Sequence, residues 1–219
     1  MLLLQNKLFT CTHISENDSK DISGFTVKKG GGWLANYIKK DALDDENDGN
    51  MRTYLVRDNY SKEIAGYFSL KAGLMSVNEK EKHSDGEDCS FIKRFLRRLF
   101  RLFSTAGQYE SASSFDTLPG VELANFAVNN TYLSGHPGMK GLGMMFFSDF
   151  ILPIVEDVSC SIGAKILYIF ALPRDTLIDH YKTYGFMRLK KKQEKQLHRR
   201  LKNNYDESCI FMYRPISYS

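Results

Sequence analysis

The chain is short of cysteine and of long apolar runs, and each shortage excludes a class of protein. Its 219 residues include four cysteines, widely scattered, with no C-x-x-C pair and no zinc-type spacing to histidine. We therefore expect neither a disulfide framework nor a metal site, but reduced thiols in a cytoplasmic protein. No window reaches about 18 uninterrupted apolar residues, so no membrane span is expected. The apolar start of three residues is too short for a secretory signal.

A strong charge of either sign is also missing. The formal net charge is +4, which is too weak to predict a nucleic-acid-binding protein by itself. Hydrophobic residues make up 42% of the chain and charged residues 26%, and 15 phenylalanines and 12 tyrosines supply a large core. This length and composition suit one sizeable α/β domain.

Hydrophobic periodicity divides the chain into strands and helices. Runs of β-forming residues predict strands at 51–58, 63–73, 121–129, 164–173 and 209–216. Helical spacing predicts helices at 33–45, 144–163 and 175–185, with a kink at Pro153, an aspartate cap on the last helix and a glycine stop at its end. Residues 1–30 are weakly patterned. Helices alternating with apolar strands indicate an α/β layer fold.

Residues 75–118 differ in character from the rest of the chain. They are charged at one end and small and polar at the other, and we predict an insertion between two strands of one sheet. Within it, FIKRFLRRLFRLF (91–103) places apolar residues on one helix face and basic residues on the other. Such a helix packs on its own protein, which we favour, or binds a membrane or an acidic partner. A second basic run, 190–204, is expected to be solvated, with attraction for RNA or a CoA 3′-phosphate left open.

A glycine-bearing loop follows the strand 121–129. Gly138, Gly141 and Gly143 form the run G-M-K-G-L-G where a helix is predicted to begin. The first N–H groups of a helix have no internal partner and, with the helix dipole, attract phosphate oxygens. Glycines allow close backbone approach, and Lys140 adds a cation. Neither a P-loop nor a dinucleotide fingerprint is present, so the alternative is a turn without a ligand.

The order of these parts resembles the GNAT family of N-acetyltransferases. The family has an apolar strand, a glycine loop and a helix, and here VELANFAVN is followed by GMKGLG and MMFFSDF. Its next motif, a strand and then a helix ending in Tyr-x-x-x-Gly-Phe, is similar to AKILYIFALP followed by DHYKTYGF, with Tyr181, Gly185 and Phe186 at matching positions. The hairpin 51–73 looks like the family's second and third strands.

This resemblance implies a mixed central sheet flanked by helices, with two splayed central strands, in a single domain spanning residues 1–219. It implies acetyl-CoA as acyl donor and direct attack by an amine in a ternary complex. The pantetheine arm would follow one strand and the pyrophosphate would bind the glycine loop. The implied cofactor-binding residues are Phe126, Ala127, Val128, Gly138, Met139, Lys140, Gly141, Leu142, Gly143 and Met144.

The same resemblance implies catalytic groups. Tyr181 matches the family's acid, which protonates the departing thiolate, and its alternative role is packing at a helix end. Glu122 is spaced from the loop like a base of the family, and a carboxylate in an apolar strand has a raised pKa. The alternatives are a solvent-facing Glu122 and water as the base. Tyr184 and His180 are further candidates, although a surface role is favoured for each.

Two positions depart from the family pattern. Gly138 stands where the family usually has Gln or Arg, so Lys140 or His136 would have to replace one contact with the pyrophosphate. Arg174 stands where an Asn is common, which leaves the pantetheine contacts on that side open.

The expected acceptor is a small-molecule or peptide amine. Nucleic acid is not expected as a partner, although an acetyltransferase toxin acting on aminoacyl-tRNA stays open, as does a homodimer. A different class of function is a non-catalytic module on the same fold that binds acyl-CoA or a protein partner.

Overall fold

A mixed β-sheet carries the structure, a computed structural model that describes residues 2–28, 30–78, 115–189, 191–200 and 208–216. Eight strands of these residues form one sheet in the order β1-β2-β3-β4-β5-β6-β8-β7. The strands are β1 (Leu2–Gln5), β2 (Phe9–His13), β3 (Arg52–Asp58), β4 (Ile64–Asn78), β5 (Phe115–Val128), β6 (Ile166–Ala171), β7 (Met187–Arg188) and β8 (Ile210–Pro215).

The chain separates into two compact units, one made of Met1–Met75 with Leu118–Ser219 and the other of Ser76–Thr117. The basic amphipathic segment 91–103 lies outside the described residues. The assignment of the whole chain to a single domain with an insertion stays a prediction.

Helices cover the sheet of the first unit. They are α1 (Ser19–Ser23), α2 (Gly32–Lys40), α3 (Ala42–Asn47), α4 (Asn130–Gly135), α5 (Leu142–Phe146), α6 (Leu152–Ile162), α7 (Asp175–Thr183) and α8 (Lys191–Arg200). None of the helices formed by the described residues is long and apolar enough to cross a bilayer.

Two hydrophobic layers hold the helices against the sheet. The larger layer joins inward-facing strand residues to α5, α6 and α7 through side chains such as Phe146, Phe150 and Ile178. The smaller layer joins the sheet to α1, α2 and α3 around Phe25 and Tyr67. Burying side chains of this size is worth about 1.5–3 kcal/mol each, so these two layers dominate the stability of the first unit.

The two central strands β5 and β6 are parallel but pair over three positions only, from Gly120↔Ile166 to Glu122↔Tyr168. Beyond Glu122 the strands part, although β5 continues to Val128 and β6 to Ala171. On either side the sheet is antiparallel, with β1 to β4 on one flank and β8 and β7 on the other. The splayed central strands inferred from the sequence are therefore present.

Several elements differ from the sequence prediction. The weakly patterned residues 1–30 contain β1, β2 and α1, and the predicted helix 33–45 is broken at Asp41 into α2 and α3. The long helix contains a π-turn, Phe147–Ile151, between α5 and α6, just before Pro153. A π-turn is a rare local distortion inside an α-helix, and proline cannot donate a hydrogen bond to the preceding turn.

The ends of α7 give one correction and one confirmation. Its N-cap is Arg174, without a side-chain cap, so the predicted aspartate cap is wrong and Asp175 is the first helical residue. The glycine stop is confirmed, since Gly185 follows the C-cap with φ of +82°.

Candidate functional site

A cleft of about 660 Å³ opens where β5 and β6 part. Its walls come from both strands, from the loop before α5, from α7, and from α2 on the other side of the sheet. The cleft opens beyond the three paired positions that hold the two strands together at one end. A gap of this size is in the range of small-molecule sites.

The cleft collects most of the residues that the sequence singled out for cofactor binding. Those that line it are Phe126, Ala127, Val128, Met139, Lys140, Gly141, Leu142, Gly143 and Met144. Gly138 belongs to the same loop but is not part of the lining. These residues come together because the chain continues from β5 through α4 and the glycine loop into α5, whose first turn lines the same cleft as the strand.

The glycine loop presents free backbone donors to the cleft. Gly141 is the N-cap of α5 with φ of +72°, a left-handed conformation that favours glycine. The first helical hydrogen bond runs from the Met145 N–H to the Gly141 carbonyl at 3.1 Å. The N–H groups of Leu142, Gly143 and Met144 precede it and have no helical partner.

Gly143 is fixed by a close approach from α7. A Cβ at this position would lie 2.9 Å from the Tyr184 hydroxyl, which in turn is 2.7 Å from Nε2 of His180. Tyr184 is buried and stacks on Phe147 with ring centroids 4.6 Å apart. This contact packs the start of α5 against the end of α7, which fixes the position of the loop that faces the cleft.

The charges around the cleft have one sign. Lys28, Lys140 and Arg174 line it, and no aspartate or glutamate is among its lining residues in the described chain. None of the three cations forms an ion pair within the described residues. Since uncompensated cations around a concave surface raise the local potential, the cleft suits a polyanionic ligand.

Tyr181 places its side chain in the cleft wall from the last turn of α7. Its ring packs against Phe186 and Tyr184, and its hydroxyl makes no hydrogen bond to any residue that the structure describes. Burial, together with the neighbouring Tyr184, raises the pKa of Tyr181 to about 12. The hydroxyl therefore stays protonated near neutral pH and can donate a hydrogen bond to a ligand.

Glu122 lies at the last paired position before the strands part, and it is not part of the cleft lining. It is only 4% exposed. The Tyr168 hydroxyl donates to Glu122 Oε2 at 3.2 Å. Burial raises the pKa of the Glu122 carboxyl to about 7, although the Lys71 charge and the Tyr168 bond act in the opposite direction. The solvent-facing alternative for Glu122 is therefore wrong.

Sequence reasoning missed part of the wall. We define the strap as residues 26–28 and 30–31; of these, Val27, Lys28, Gly30 and Gly31 line the cleft together with Trp33 and Leu34 of α2. The three consecutive glycines at 30–32 predict only a loop, and no pattern in the neighbouring sequence indicates that this loop reaches the cleft. Arg174 also lines the cleft.

Comparison with known proteins shows which solved structures share the fold of this chain. No family model and no curated protein sequence matches the chain. A tyrosine-to-phenylalanine mutant of the AtaT toxin superposes with a TM-score of 0.61 at 15% identity, covering 99% of this chain and 94% of that one.

Two further structures show the toxin with ligands. The same mutant toxin, bound to the C-terminus of the antitoxin AtaR and to acetyl-CoA, gives a TM-score of 0.58 at 15% identity over 95% of this chain and 93% of that one. AtaT complexed with acetyl-methionyl-tRNAfMet gives 0.60 at 16% identity, over 94% of each chain. At such identity the likeness establishes a shared fold, and the fold class predicted from the sequence is confirmed.

Proposed function

We propose that the protein is an N-acetyltransferase of the GNAT type that moves an acetyl group from acetyl-CoA to a primary amine. The observation that carries the proposal is the cleft between β5 and β6, which joins a helix start, a tyrosine hydroxyl and three cations that form no ion pair with the residues that the structure describes. The likeness of the fold to a toxin crystallised with acetyl-CoA supports the same donor.

The donor fits the cleft in one direction. The pyrophosphate binds the N–H groups of residues 140–144, beside the Lys140 side chain, because these donors and the helix dipole favour anions; the Met139 N–H already donates to the His136 carbonyl at 3.0 Å. The pantetheine arm follows residues 126–128 of β5, whose pairing with β6 has ended, and hydrogen-bonds the free strand edge as an added strand would. The thioester then reaches the point where the strands part, near Tyr181.

The transfer is a direct displacement at the thioester carbonyl. A neutral amine attacks the carbon, a tetrahedral intermediate forms, and the C–S bond breaks to leave an amide and a CoA thiolate. A thiol has a pKa of about 8.5, so full proton transfer from Tyr181, with its pKa of about 12, is uphill. Tyr181 therefore stabilises the leaving thiolate by a hydrogen bond. It passes a proton to the sulfur only as the positively charged nitrogen of the tetrahedral intermediate loses its own proton.

The attacking amine must first lose a proton, since an amine with a pKa near 10 is almost fully protonated at neutral pH. Glu122 is the proposed base, because a carboxyl with a pKa of about 7 is half ionised there and is a stronger base than an ordinary glutamate. It lies outside the cleft lining, so the proton reaches it through a bridging water. Water as the base remains the alternative.

The proposal is tested by binding and by turnover. Calorimetry with acetyl-CoA is expected to show saturable binding, and incubation with an amine panel is expected to release free CoA thiol in proportion to amine. Binding without amine-dependent thiol release would instead support a non-catalytic acyl-CoA-binding module. No binding at millimolar acetyl-CoA would exclude both.

A second candidate acceptor is the amino group of an aminoacyl-tRNA. It is supported by the likeness to AtaT in complex with acetyl-methionyl-tRNAfMet and by the basic helix α8. Glu194 ties α8 to the sheet through the Phe211 N–H at 2.9 Å and Arg188 at 3.3 Å, while Lys191 and Lys195 are exposed. Acetylation of charged tRNA but not of free amino acids would favour this acceptor, and the reverse pattern would favour a small amine.

A further inference from the structure

The strap closes one side of the cleft by joining the ends of the parted strands. At one end, the Thr26 N–H donates to Asn129 Oδ1 at 3.1 Å and the Thr26 carbonyl accepts from the Asn130 N–H at 2.7 Å, just after β5. At the other end, Gly30 touches Arg174, three residues after the last residue of β6.

The guanidinium of Arg174 lies directly on Gly30. A Cβ at Gly30 would be 2.4 Å from Nη1 and 2.5 Å from Nη2 of Arg174, and the φ of +94° also favours glycine there. The Arg174 side chain is exposed, and the described residues use few of its donors. Its single hydrogen bond within the described residues is a long one of 3.5 Å to the Gly30 carbonyl, although a guanidinium has five N–H donors.

Lys28 stands two residues before Gly30 and lines the same cleft, with no ion pair in the described part of the chain. Two cations of this cleft are thus close to one glycine, Lys28 in the sequence and Arg174 by direct contact, and neither belongs to the glycine loop. An exposed arginine and a lysine on the wall of one cleft, with no carboxylate among its described lining residues, match a phosphate group, which takes paired guanidinium N–H bonds and a point charge together.

We propose that Lys28 and Arg174 form a second phosphate-binding subsite, with Gly30 present because it leaves room for the guanidinium. This inference rests on the proposed function. The phosphate belongs either to the donor, as the 3′-phosphate of CoA, or to a phosphate-bearing acceptor. Arg174, which departs from the family pattern, gains a role under either source.

The two sources are separated by calorimetry with CoA and 3′-dephospho-CoA, and by adding inorganic phosphate to CoA-loaded protein. If the donor supplies the phosphate, wild type binds CoA about tenfold more tightly than dephospho-CoA, and Arg174→Gln and Lys28→Gln bring the ratio close to one. If the acceptor supplies it, the ratio is near one in wild type, and phosphate binds the CoA-loaded protein but not these variants. Lys39→Gln, an exposed lysine on α2, is the control for loss of one charge.

A second pair of variants keeps every charge. Gly30→Ala pushes the guanidinium away and should reproduce the effect of Arg174→Gln on whichever ligand responds. Gly49→Ala is the matched control for backbone strain, because Gly49 has a φ of +74° but open space around its Cβ position.

Two results would overturn the subsite. One is a CoA to dephospho-CoA ratio near one together with no phosphate binding to the CoA-loaded protein. The other is a change in ligand affinity in Lys39→Gln or Gly49→Ala as large as the change in Arg174→Gln, Lys28→Gln or Gly30→Ala. Either result leaves acetyl-CoA binding, and so the proposed function, intact. Absence of CoA binding to wild type would overturn the proposed function and the subsite with it.

Discussion

At the scale of single residues, Tyr181 makes the most specific prediction. Tyr181→Phe should lower turnover by about a hundredfold or more while leaving acetyl-CoA affinity nearly unchanged, because its hydroxyl acts on a thiolate that exists only late in the reaction. Steady-state kinetics and calorimetry measure the two quantities. Tyr60→Phe is the control, since Tyr60 is 77% exposed and loses the same hydroxyl far from the cleft. If Tyr181→Phe turns over at the wild-type rate under conditions where the chemical step is rate-limiting, Tyr181 has only a packing role.

Glu122 makes a prediction about the pH dependence of activity. If its carboxylate is the base, kcat/KM should rise as the pH increases through about 7, because the ionised form accumulates there. Glu122→Gln should remove this rise and lower the rate near neutral pH. An unchanged pH profile in Glu122→Gln would instead identify water as the base.

The same residue also links stability to pH. The pKa of Glu122 is raised from 4.5 to about 7 in the folded state, so the folded protein binds the proton more tightly than the unfolded chain. Its contribution to stability is full below about pH 4.5 and is lost as the pH rises through 7. Relative to wild type, Glu122→Gln should therefore gain about 2–3 kcal/mol between pH 4.5 and pH 8. Urea unfolding at the two pH values measures this gain. If the stability difference between Glu122→Gln and wild type is the same at both, the raised pKa of Glu122 is contradicted.

At the scale of elements, the side-by-side placement of β4 and β5 depends on Gly66. A Cβ there would lie 2.7 Å from Phe146 Cε2 and 2.8 Å from the Ala127 carbonyl. Gly66→Ala should therefore lower the free energy of unfolding by about 1–3 kcal/mol. It should also weaken acetyl-CoA binding, because Ala127 lines the cleft. Gly32→Ala, with open space at the start of α2, should be neutral or slightly stabilising in the same urea titration.

The elements also show where sequence reasoning succeeds. The glycine loop, the strand 126–128 and the Tyr181 helix are marked by local signals, namely glycines at a helix start, an apolar run and a glycine stop. Most of the proposed cofactor-binding positions lie in one short segment, 126–144, and nine of them line the same cleft; their binding of a cofactor stays a prediction.

Other parts depend on tertiary contacts that no local pattern reveals. β1 and β2 have four and five residues and are stabilised by pairing along a sheet edge rather than by a clear alternation. The strap reaches the cleft because Thr26 pairs with residues more than a hundred positions away. The close approach of Arg174 to Gly30 also joins residues that are distant in the sequence. From the sequence alone, the glycines therefore indicate only a loop, and Arg174 only a departure from the family pattern.

At the scale of the whole molecule, ligand binding should be visible as stability. The cleft is walled by both layers of helices, so a donor held there contacts elements on both sides of the sheet and binds only the folded chain. Acetyl-CoA at a hundred times its Kd should add about 2.7 kcal/mol, which for a chain of this size raises the Tm by about 5–10 °C.

Variants and a partial ligand make this thermal shift specific. Tyr181→Phe should show the full shift, because the hydroxyl is not needed for ground-state binding. Gly141→Val should show a much smaller one, since a side chain at φ of +72° distorts the N–H groups that face the pyrophosphate, while the open space around the position leaves the core untouched. Pantetheine, which lacks the phosphates, should shift the Tm of wild type little. An equal shift from pantetheine and acetyl-CoA would show that the cations and the glycine loop do not hold the donor.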